Sequence, residues 1–516
     1  MNGAQTLVQT LLDSDVDVCF TNPGTSEMHF VAALDTNNNM RCVLGLFEGV
    51  VTGAADGYAR MAGKPAATLL HLGPGMGNGL ANIHNARKAR TPMVNIVGEH
   101  ATYHLEHETP LKSDISLVAN WGSDWVHTST SAEAVAGDAA QAVAQARAGG
   151  KIATLVLPAD TAWNEAKGPA KPAPAIELPK PDSETVSKAA AILREHGPKA
   201  TLMITGAALI EPGLSLATRI SVVTGCRLLA QQSNARMSRG DGHTDVARVP
   251  YPVPQALAQL ADIEHLVLLG ANPPASFFAY PNMPNMMTPE NCEHFVLAGR
   301  EHDIPASLEA LAAELDAHGA KIMLPSLEPL QVPGDGSLNG DLVMQTVAAL
   351  LPENAVLCDE SVTSGRQLLK LTGRCKPHDY LQITGGAIGI GSPLATGAAI
   401  ASPGRQVVSL QADGSTMYTL QGLWTQAREQ LQICTIILAN NAYRILQGEL
   451  KHVGVDNPGE RAKQMLNLDN PNLDWVSLAK GMGVPAVSVG TVDELVRAMK
   501  AAMAGEGPSL IEARIP

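Results

Sequence analysis

The stretch VVSLQADGSTMY, residues 407–418, decides how this chain arranges its chemistry. Its apolar first half is typical of a buried strand, yet the run ends abruptly in Asp413-Gly414-Ser415. An unpaired carboxylate at the end of a buried strand is unfavourable, because burial penalises the charged form. The sequence therefore predicts that a cation binds beside Asp413.

The residues beyond Asp413 predict a strand, a helix and a second strand. Apolar residues recur at helical spacing after Asp413, and a second apolar run, ICTIILANN, begins at Ile433. A right-handed crossover makes the two strands parallel and puts their carboxyl ends at one edge of the sheet, where ligands bind. Asp413 and Asn440, 27 positions apart, are expected at that edge. A carboxylate, an amide oxygen and a backbone carbonyl suit Mg²⁺ that is shared with phosphate oxygens.

Two other Asp-Gly pairs lack this context. Asp335 in PGDGSLNG lies in a Pro-rich segment with no apolar run before it, and Asp241 in RGDGHTD follows polar residues. Asp-Gly pairs of this kind are typical of turns. Asp413 alone combines the strand, the helix and the asparagine.

Composition predicts a layered α/β protein of three domains. Of the 516 residues, 45% are hydrophobic and only 3% aromatic, so the cores must consist of aliphatic side chains. Apolar strands alternate with Ala-rich helical stretches, which indicates parallel sheets flanked by helices. Pro-rich segments at 165–184 and 324–340 are expected to be linkers. The predicted domains are 1–165, 185–324 and 340–516.

Charge and cysteine usage exclude several classes of protein. A net charge of −14 argues against a nucleic-acid partner, and no apolar run reaches membrane-spanning length. The first basic residue is Arg41, so a secretory signal is not expected. The seven cysteines are scattered and never spaced as CxxC, which argues against disulfides or a zinc site. We expect a cytoplasmic protein.

The pattern ADGS…LANNAY resembles the thiamine-diphosphate (ThDP) enzymes, whose signature is Gly-Asp-Gly-Ser or Gly-Asp-Gly-Gly, a helix, and a strand that ends in Asn-Asn or Ala-Asn. Ala412 replaces the usual first glycine, which is acceptable where φ is negative. The resemblance extends over nearly the whole chain and is closest to the acetolactate-synthase-like and benzoylformate-decarboxylase-like branches. It implies an N-terminal pyrimidine-binding domain, a middle domain and a C-terminal domain that binds the diphosphate and Mg²⁺.

The resemblance also implies roles for residues in the third domain. Mg²⁺ would be held by the Asp413 carboxylate, the Asn440 side chain and the Ala442 carbonyl, with Gly414 and Ser415 at the diphosphate.

Two further segments of the third domain contribute by the same resemblance. In ITGGAIGIGSP, the Gly386 carbonyl would accept from the coenzyme's amino group and Ile388 would support its bent form. The segment also looks like a dinucleotide fingerprint, which is weak evidence for NAD without a matched acidic residue on the next strand. Ser361 and Thr363 would donate to the diphosphate. An ordinary core role for Ile388 and capping roles for both hydroxyls stay open.

Glu48 is the candidate acid of the first domain. It opens the pattern EGVVTGAADGYAR at the end of an apolar run. In the resembling family, a glutamate in this pattern exchanges a proton with N1′ of the coenzyme's aminopyrimidine. The alternative is a helix N-terminal acid that stabilises the helix dipole.

Two loops of the first domain, FTNPGTSEMHF and LLHLGPGMGNG, are expected to present side chains at strand ends. Thr25 and His71 are candidate catalytic residues, while Ser26 and Glu27 are candidates for the substrate pocket. The stretch that begins at Gly73 is similar to acetolactate synthases, whereas His71 matches benzoylformate decarboxylases. A histidine there can transfer protons during product release, although a buried core histidine is the alternative.

Two other clusters leave their roles open. His100, His104 and His107 have spacings that could place metal ligands on one helix face, but the flanking residues favour a solvated loop. The segment ANPPASFFAYPNMPNMM forms either an apolar wall of the substrate site or a contact between domains.

The implied reaction is decarboxylation of a 2-oxo acid through an enamine intermediate. The overall resemblance favours carboligation of the acetolactate-synthase type, whereas His71 favours release of an aldehyde. The implied catalytic unit is at least a homodimer, and a homotetramer is expected. FAD in the middle domain stays open and is not favoured. A catalytically silent ThDP-fold binding protein and an NAD dehydrogenase are the remaining alternatives.

Overall fold

Three β-sheets flanked by helices make up the chain in the computed structural model, which describes residues 1–325 and 327–516. Neighbouring strands are parallel in all but one pair, so the predicted α/β class is confirmed. The central strands are buried along their whole length, which explains why they read as near-continuous apolar runs. Strands and helices are numbered below in chain order.

The first sheet belongs to the N-terminal part of the chain. Its strands are β1 (Val18–Asn22), β2 (Arg41–Leu44), β3 (Ala66–Leu70), β4 (Met93–Glu99), β5 (Trp125–Thr128) and β6 (Ile152–Pro158). Its helices are α1 (Gly3–Asp13), α2 (Met28–Asp35), α3 (Glu48–Ala62), α4 (Leu72–Ala89), α5 (Ile115–Gly122), α6 (Ala132–Arg147) and α7 (Ala159–Trp163). The strands are all parallel, in the order β2-β1-β3-β4-β6-β5.

The second sheet belongs to the middle of the chain. Its strands are β7 (Ala200–Ile204), β8 (Arg227–Ala230), β10 (Ala247–Arg248), β11 (His265–Leu269) and β12 (Glu293–Ala298). Its helices are α8 (Ser183–His196), α9 (Gly213–Thr224), α10 (Val253–Leu260) and α11 (Ile304–Glu314). These strands are also parallel, in the order β10-β8-β7-β11-β12.

The third sheet carries the opening motif. Its strands are β9 (Arg236–Arg239), β13 (Ala355–Glu360), β14 (His378–Gln382), β15 (Val407–Ala412), β16 (Ile433–Ala439), β17 (Ala486–Val489) and β18 (Ser509–Arg514). Its helices are α12 (Gly340–Leu350), α13 (Leu368–Thr372), α14 (Gly391–Ala401), α15 (Asp413–Thr416), α16 (Gly422–Arg428), α17 (Arg444–His452), α18 (Glu460–Leu466), α19 (Trp475–Gly481) and α20 (Val492–Ala504). The order is β17-β18-β16-β15-β13-β14-β9.

Strand β9 lies in the sequence among the strands of the second sheet but pairs antiparallel with β14 of the third. The guanidinium of its buried Arg239 donates to the backbone oxygens of Leu369 and Val246, at 2.6 and 2.9 Å. The middle part of the chain therefore completes the sheet that carries Asp413.

The two predicted linkers fall between these units. No helix or strand is assigned from 164 to 182, and the same holds for 321–325 and 327–335 in the second segment. Ser326, which belongs to the second predicted linker, lies outside the described residues. The exact domain boundaries stay a prediction.

Helices α3 and α14 join the first and third units at close range. A Cβ on Gly57 would lie 2.1 Å from the backbone oxygen of Leu394, and one on Gly397 would lie 1.8 Å from that of Ala54. Only glycine permits such a close approach of two helix backbones. This contact fixes α3, which begins at Glu48, relative to the third sheet.

Across residues 1–325 and 327–516, none of the helices is both long enough and apolar enough to cross a membrane.

Candidate functional site

Asp413 and Asn440 lie side by side at the carboxyl edge of the third sheet. Asp413 follows β15, Asn440 follows β16, and these two strands are parallel neighbours. Asp413 is buried, with only 1% of its surface exposed. Its Oδ2 accepts from the backbone N–H groups of Asn440 and Asn441, at 3.0 and 2.6 Å, and its Oδ1 accepts from Gly414 at 2.8 Å. The strand-helix-strand argument thus placed these residues correctly.

The Asp413 carboxylate has amide donors but no ion-pair partner among the described residues, although Arg444 lines the cavity beside it. Burial raises the pKa of Asp413, and the three backbone N–H donors oppose that shift without cancelling it. Among the described residues, no Lys, Arg or His forms an ion pair with it. A bound cation would favour the ionised form, which matches the expectation drawn from the sequence.

The residues predicted to hold the diphosphate and metal converge on one cavity of about 50 Å³ beside Asp413. Eight predicted residues line it: Ser361, Thr363, Ile388, Asp413, Gly414, Ser415, Asn440 and Ala442. They come from four separate segments of the third unit. The fold therefore brings them together, while their roles stay a prediction.

The hydroxyl groups of this cavity differ in their availability. Thr363 Oγ1 is buried and has no hydrogen-bond partner within the described chain. The Ser361 hydroxyl donates to Asp359, and the Ser415 hydroxyl donates to the Ala412 carbonyl at 3.0 Å. An unpartnered buried hydroxyl is unfavourable unless a ligand satisfies it. Thr363 is thus the clearest candidate donor to an anionic ligand.

The backbone around the cavity has conformations that are typical of functional sites. Val362 has φ of 49°, a left-handed conformation that is strained for a β-branched residue and is concentrated at functional sites. Ala412 has φ of −77°, so alanine is accepted at this position without strain. A Cβ on Gly414 would lie 2.4 Å from the Tyr443 ring, so glycine is needed at that position.

The loop between β14 and α14 carries Gly386 and Ile388. Gly386 has φ of 78°, which favours glycine. Asn85 of α4 holds this loop: its Oδ1 accepts from the N–H groups of Gly385 and Ala387 at 3.1 and 3.2 Å, and its Nδ2 donates to the Ala387 oxygen at 2.7 Å. Because these loop amides already have partners within the protein, they do not form a free cradle for a dinucleotide pyrophosphate.

The aromatic segment of the middle unit contacts this loop. A Cβ on Gly386 would lie 2.8 Å from Cζ of Phe277. The Phe277 ring packs edge-on against Phe278 at 4.9 Å and lies 5.4 Å from the Tyr251 ring, measured between centroids. Both phenylalanines are partly exposed. The segment therefore forms an apolar surface beside the predicted coenzyme loop, and it also joins the middle and third units.

Glu48 begins α3 and lies in the first unit. Its Oε2 accepts from Asn78 Nδ2 at 3.0 Å, and a Cβ on Gly75 would lie 3.2 Å from its Oε1. Glu48 is half-buried, and it is not among the residues that line the Asp413 cavity. A single protomer therefore leaves Glu48 outside the Asp413 cavity.

His71, Glu27 and Ser26 form a hydrogen-bonded cluster at the strand ends of the first sheet. His71 Nδ1 lies 2.8 Å from Glu27 Oε2 and 3.2 Å from the Ser26 hydroxyl. The Ser26 hydroxyl donates to Glu27 Oε1 at 2.5 Å. The Glu27 side chain is almost fully buried, whereas one fifth of the His71 side chain is exposed. Thr25 begins the same short 3₁₀ turn and is exposed.

Two glycines make room for this cluster. A Cβ on Gly24 would lie 2.1 Å from His71 Nδ1, and one on Gly98 would lie 1.8 Å from Glu27 Oε1. Leu72 has φ of 48° although it is a buried, bulky residue, so the chain turns sharply just after His71. The His71 and Glu27 side chains are therefore tightly packed, and only His71 is partly accessible from solvent.

The sequence analysis did not predict the structural role of the ADGYAR motif. Asp56 and Arg60 form a fully buried, two-bond ion pair at 2.6 and 2.8 Å. The same guanidinium donates to the Gln382 oxygen at 2.7 Å and to Thr384 Oγ1 at 3.1 Å, where the loop between β14 and α14 begins. Opposite charges four residues apart on an otherwise apolar helix were the signal that could have revealed it.

The histidine cluster at 100–107 is not arranged as a metal centre. The His104 ring lies 5.8 Å from that of His100 and 5.3 Å from that of His107. In the part of the chain that the structure describes, no group of three or more His, Cys, Asp or Glu side chains could hold a metal ion. The solvated-loop interpretation agrees with this finding.

A crevice of about 430 Å³ lies at the carboxyl edge of the second sheet. It opens between the ends of β7 and β11, where the strand order reverses and ligands of parallel sheets commonly bind. Its basic lining residues are Arg60, Lys88, Arg90, Arg147, Arg236 and Arg300. The crevice is distinct from the Asp413 cavity and shares none of its lining residues.

Comparisons with known proteins agree with this geometry. A family model described as the N-terminal TPP binding domain of thiamine pyrophosphate enzymes matches residues 1–118. The corresponding C-terminal TPP binding domain matches residues 363–513, which include Asp413 and Asn440.

Whole-chain relatives extend the match. IlvX of Mycobacterium tuberculosis, provisionally named an acetolactate synthase large subunit, is 49% identical over 519 residues, covering 100% of this chain and 99% of that protein. Benzoylformate decarboxylase of Pseudomonas aeruginosa is 29% identical over 526 residues, covering 96% and 95% respectively. The thiamine diphosphate-dependent 4-hydroxybenzoylformate decarboxylase of Rhodococcus jostii has the same fold, with a TM-score of 0.87 at 23% identity over 100% of this chain and 99% of that one. The chain therefore belongs to the thiamine pyrophosphate enzyme family, in the branch that contains acetolactate synthases and benzoylformate decarboxylases.

Proposed function

We propose that this protein is a ThDP- and Mg²⁺-dependent enzyme that decarboxylates a 2-oxo acid and releases an aldehyde. The observation that carries the coenzyme assignment is the buried Asp413 carboxylate, which lies beside Asn440 and forms no ion pair among the described residues, although Arg444 lines the same cavity. The unpartnered Thr363 hydroxyl in the same cavity fits a phosphate acceptor.

The residues present fit the Mg²⁺-diphosphate pair. The Asp413 carboxylate, the Asn440 amide oxygen and the Ala442 carbonyl are the hard oxygen ligands that Mg²⁺ prefers. The Thr363 hydroxyl would donate to the diphosphate, and Gly414 and Ser415 would lie beside it. Bound ThDP would supply the nucleophilic carbon and the electron-accepting ring that decarboxylation requires.

The remaining residues would position the coenzyme and exchange protons with it. The Gly386 carbonyl would accept from the coenzyme's amino group, and Ile388 would support its bent form. Glu48 would exchange a proton with the aminopyrimidine, and the amide of Asn78 would orient its carboxyl group through the 3.0 Å hydrogen bond. Because Glu48 does not line the Asp413 cavity of its own protomer, we propose that two protomers build each site. A homodimer is then the smallest active form, and a homotetramer is expected.

The cluster of His71, Glu27 and Ser26 favours aldehyde release. A histidine held at 2.8 Å by a buried carboxylate, with one side open, is arranged to deliver a proton to the reacting carbon before the product leaves. The 49% identity to a protein named as an acetolactate synthase large subunit favours carboligation as the second candidate. Supplying aromatic and aliphatic 2-oxo acids and identifying the products separates the two, because carboligation yields a hydroxy-keto product instead of a free aldehyde.

That substrate panel also tests the catalytically silent alternative. ThDP with Mg²⁺ should raise the melting temperature, and CO₂ should appear with at least one 2-oxo acid. Binding of the coenzyme without turnover of any substrate would favour a binding protein. FAD is not part of the proposal.

Replacing His71 by alanine should lower aldehyde release roughly tenfold, less than the roughly 10²- to 10⁴-fold usual for a general acid, because water can also supply the proton. The fraction of carboligated product should rise, since the intermediate has longer to meet a second carbonyl compound. Quantifying CO₂ and aldehyde in the same reaction measures both effects. The matched control is His104→Ala, an exposed histidine of the same unit. An unchanged aldehyde rate would remove His71 from product release.

Gly24→Ala tests whether the position of His71 matters as well as its presence. The added methyl group would overlap the His71 ring and displace it from Glu27. We expect aldehyde release to fall by up to roughly tenfold, the effect of removing His71, because a misplaced reacting group loses most of its contribution. Gly77→Ala in α4 is the control, because its Cβ meets no atom within 4 Å and alanine favours a helix. Equal aldehyde release in both variants would contradict the proposed tight fit.

A further inference from the structure

The loop from Thr384 to Gly391 carries the two groups that we propose to seat the coenzyme, the Gly386 carbonyl and the Ile388 side chain. Asn85 holds one half of this loop through Gly385 and Ala387. The other half is held by Glu360, a residue to which no role has been given so far. The contacts of Glu360 therefore bear on how the coenzyme loop keeps its shape.

Glu360 is the last residue of β13 and is only 1% exposed. Its Oε1 accepts from the N–H of Gly389 at 2.7 Å and from that of Ile390 at 3.4 Å, and its Oε2 accepts from the N–H of Gly391 at 2.7 Å. Within the described residues it forms no ion pair with Lys, Arg or His. A fully buried carboxylate thus has its negative charge balanced by loop amides alone.

The loop is built around this carboxylate. Gly389 has φ of 92°, a conformation that side chains disfavour. A Cβ on Gly391 would lie 2.2 Å from the Gln411 side chain, on the neighbouring strand β15. The glycines therefore let two amides turn toward Glu360 at close range, one on each carboxylate oxygen.

The electrostatic surroundings make the Glu360 charge sensitive to pH. Burial raises the pKa of Glu360 to about 7, although the three N–H donors oppose the shift. Asp359 raises it further, and the carboxylate of Asp359 is occupied by the hydroxyls of Ser361 and Tyr380. From β15 the facing group is Gln411, which is neutral. A protonated carboxyl carries an O–H on one oxygen, and that oxygen then faces an N–H donor and loses its hydrogen bond.

We propose that Glu360 is a positioning residue that, when ionised, fixes the coenzyme-seating loop by accepting the Gly389 and Gly391 amides, so that protonation of Glu360 loosens the loop and weakens coenzyme binding. This inference rests on the proposed function of the loop. Glu360 acts through the backbone that it holds, so it is distinct from Glu48, which would exchange protons with the coenzyme itself.

Hydrogen exchange of the protein without coenzyme tests the first half of the proposal. At about pH 6 roughly one tenth of Glu360 is ionised, so protection factors of the Gly389 and Gly391 amides, corrected for intrinsic exchange, should be roughly tenfold lower than at about pH 8. Glu360→Gln should show low protection at both pH values, because its NH₂ group faces one of the amides. Glu353→Gln, a surface glutamate of the same unit, should behave as the wild type. Equal wild-type protection at the two pH values overturns the proposal, even if Glu360→Gln does not fold.

Coenzyme titration tests the second half. With Mg²⁺ present, the ThDP dissociation constant of the wild type should rise roughly tenfold from about pH 8 to about pH 6, since only the ionised fraction is competent to bind. In Glu360→Gln the constant should be higher throughout and this pH dependence should be smaller. The same pH ratio in both proteins would overturn the proposal. Failure of all 2-oxo acids to react would refute the proposed function and leave both readouts interpretable, because neither requires turnover.

Discussion

Asp413→Asn should strongly weaken Mg²⁺-dependent coenzyme binding while leaving a folded protein. Asparagine has the shape of aspartate and keeps one oxygen for the N–H groups of Asn440 and Asn441. It lacks the charge that a metal ion needs. Removing one partner of a buried charge pair costs on the order of 4 kcal/mol of binding free energy, so the ThDP dissociation constant should rise roughly 10³-fold. Calorimetric titration with ThDP and Mg²⁺ measures this change.

The chain contains a matched control for this variant. Asp335 begins a second Asp-Gly-Ser tripeptide, but it is exposed, and within the described residues its side chain accepts one hydrogen bond, from the backbone N–H of Asp493 at 3.0 Å. Asp335→Asn should therefore bind coenzyme as the wild type does. Undiminished Mg²⁺-dependent binding in Asp413→Asn would refute the metal site, whatever the control shows.

Glu48→Gln should separate coenzyme binding from catalysis. Glutamine can still accept the 3.0 Å hydrogen bond from Asn78, so the local structure should persist. It cannot exchange a proton with the coenzyme, and we expect kcat to fall by roughly 10²-fold or more, the scale of acid-base contributions. The ThDP dissociation constant should change little. Steady-state kinetics at saturating ThDP, combined with direct titration, measure the two quantities separately.

Glu353→Gln makes the same chemical change at the surface of the third unit and should leave kcat unaltered. If Glu48→Gln also retained the wild-type kcat, Glu48 would have no part in the reaction. A loss of coenzyme binding that accounts for the whole effect would instead assign Glu48 a structural role.

The sequence predicted the Asp413 edge well because that edge depends on local chain geometry. A strand, a crossover helix and a second strand bring Asp413 and Asn440 together irrespective of the rest of the fold. Ser361 and Thr363 follow a third strand of the same sheet, so they reach the same cavity. The apolar pattern therefore contained enough information for the fold class and for the Asp413–Asn440 edge, whereas the resemblance was needed to assign Ser361, Thr363 and Ile388 to the same site.

The contacts between units could not be predicted in the same way. Asn85 and Glu360 hold one loop from two units, across separations of about 300 and 30 residues. Neither residue stands out in the sequence, because an asparagine on a helix and an acid at a strand end have many ordinary roles. Periodicity reports which face of an element is buried, but it does not report what the buried polar groups contact.

Strand β9 restricts how this protein can be divided. A fragment that begins at residue 340 would contain Asp413 and all the residues of its cavity, yet it would lack the segment Arg236–Arg239 that covers β14. The bare edge of β14 would then be free to recruit strands from other molecules. Truncated versions of the coenzyme-binding half are consequently expected to precipitate, and a soluble fragment would have to retain the central third of the polypeptide.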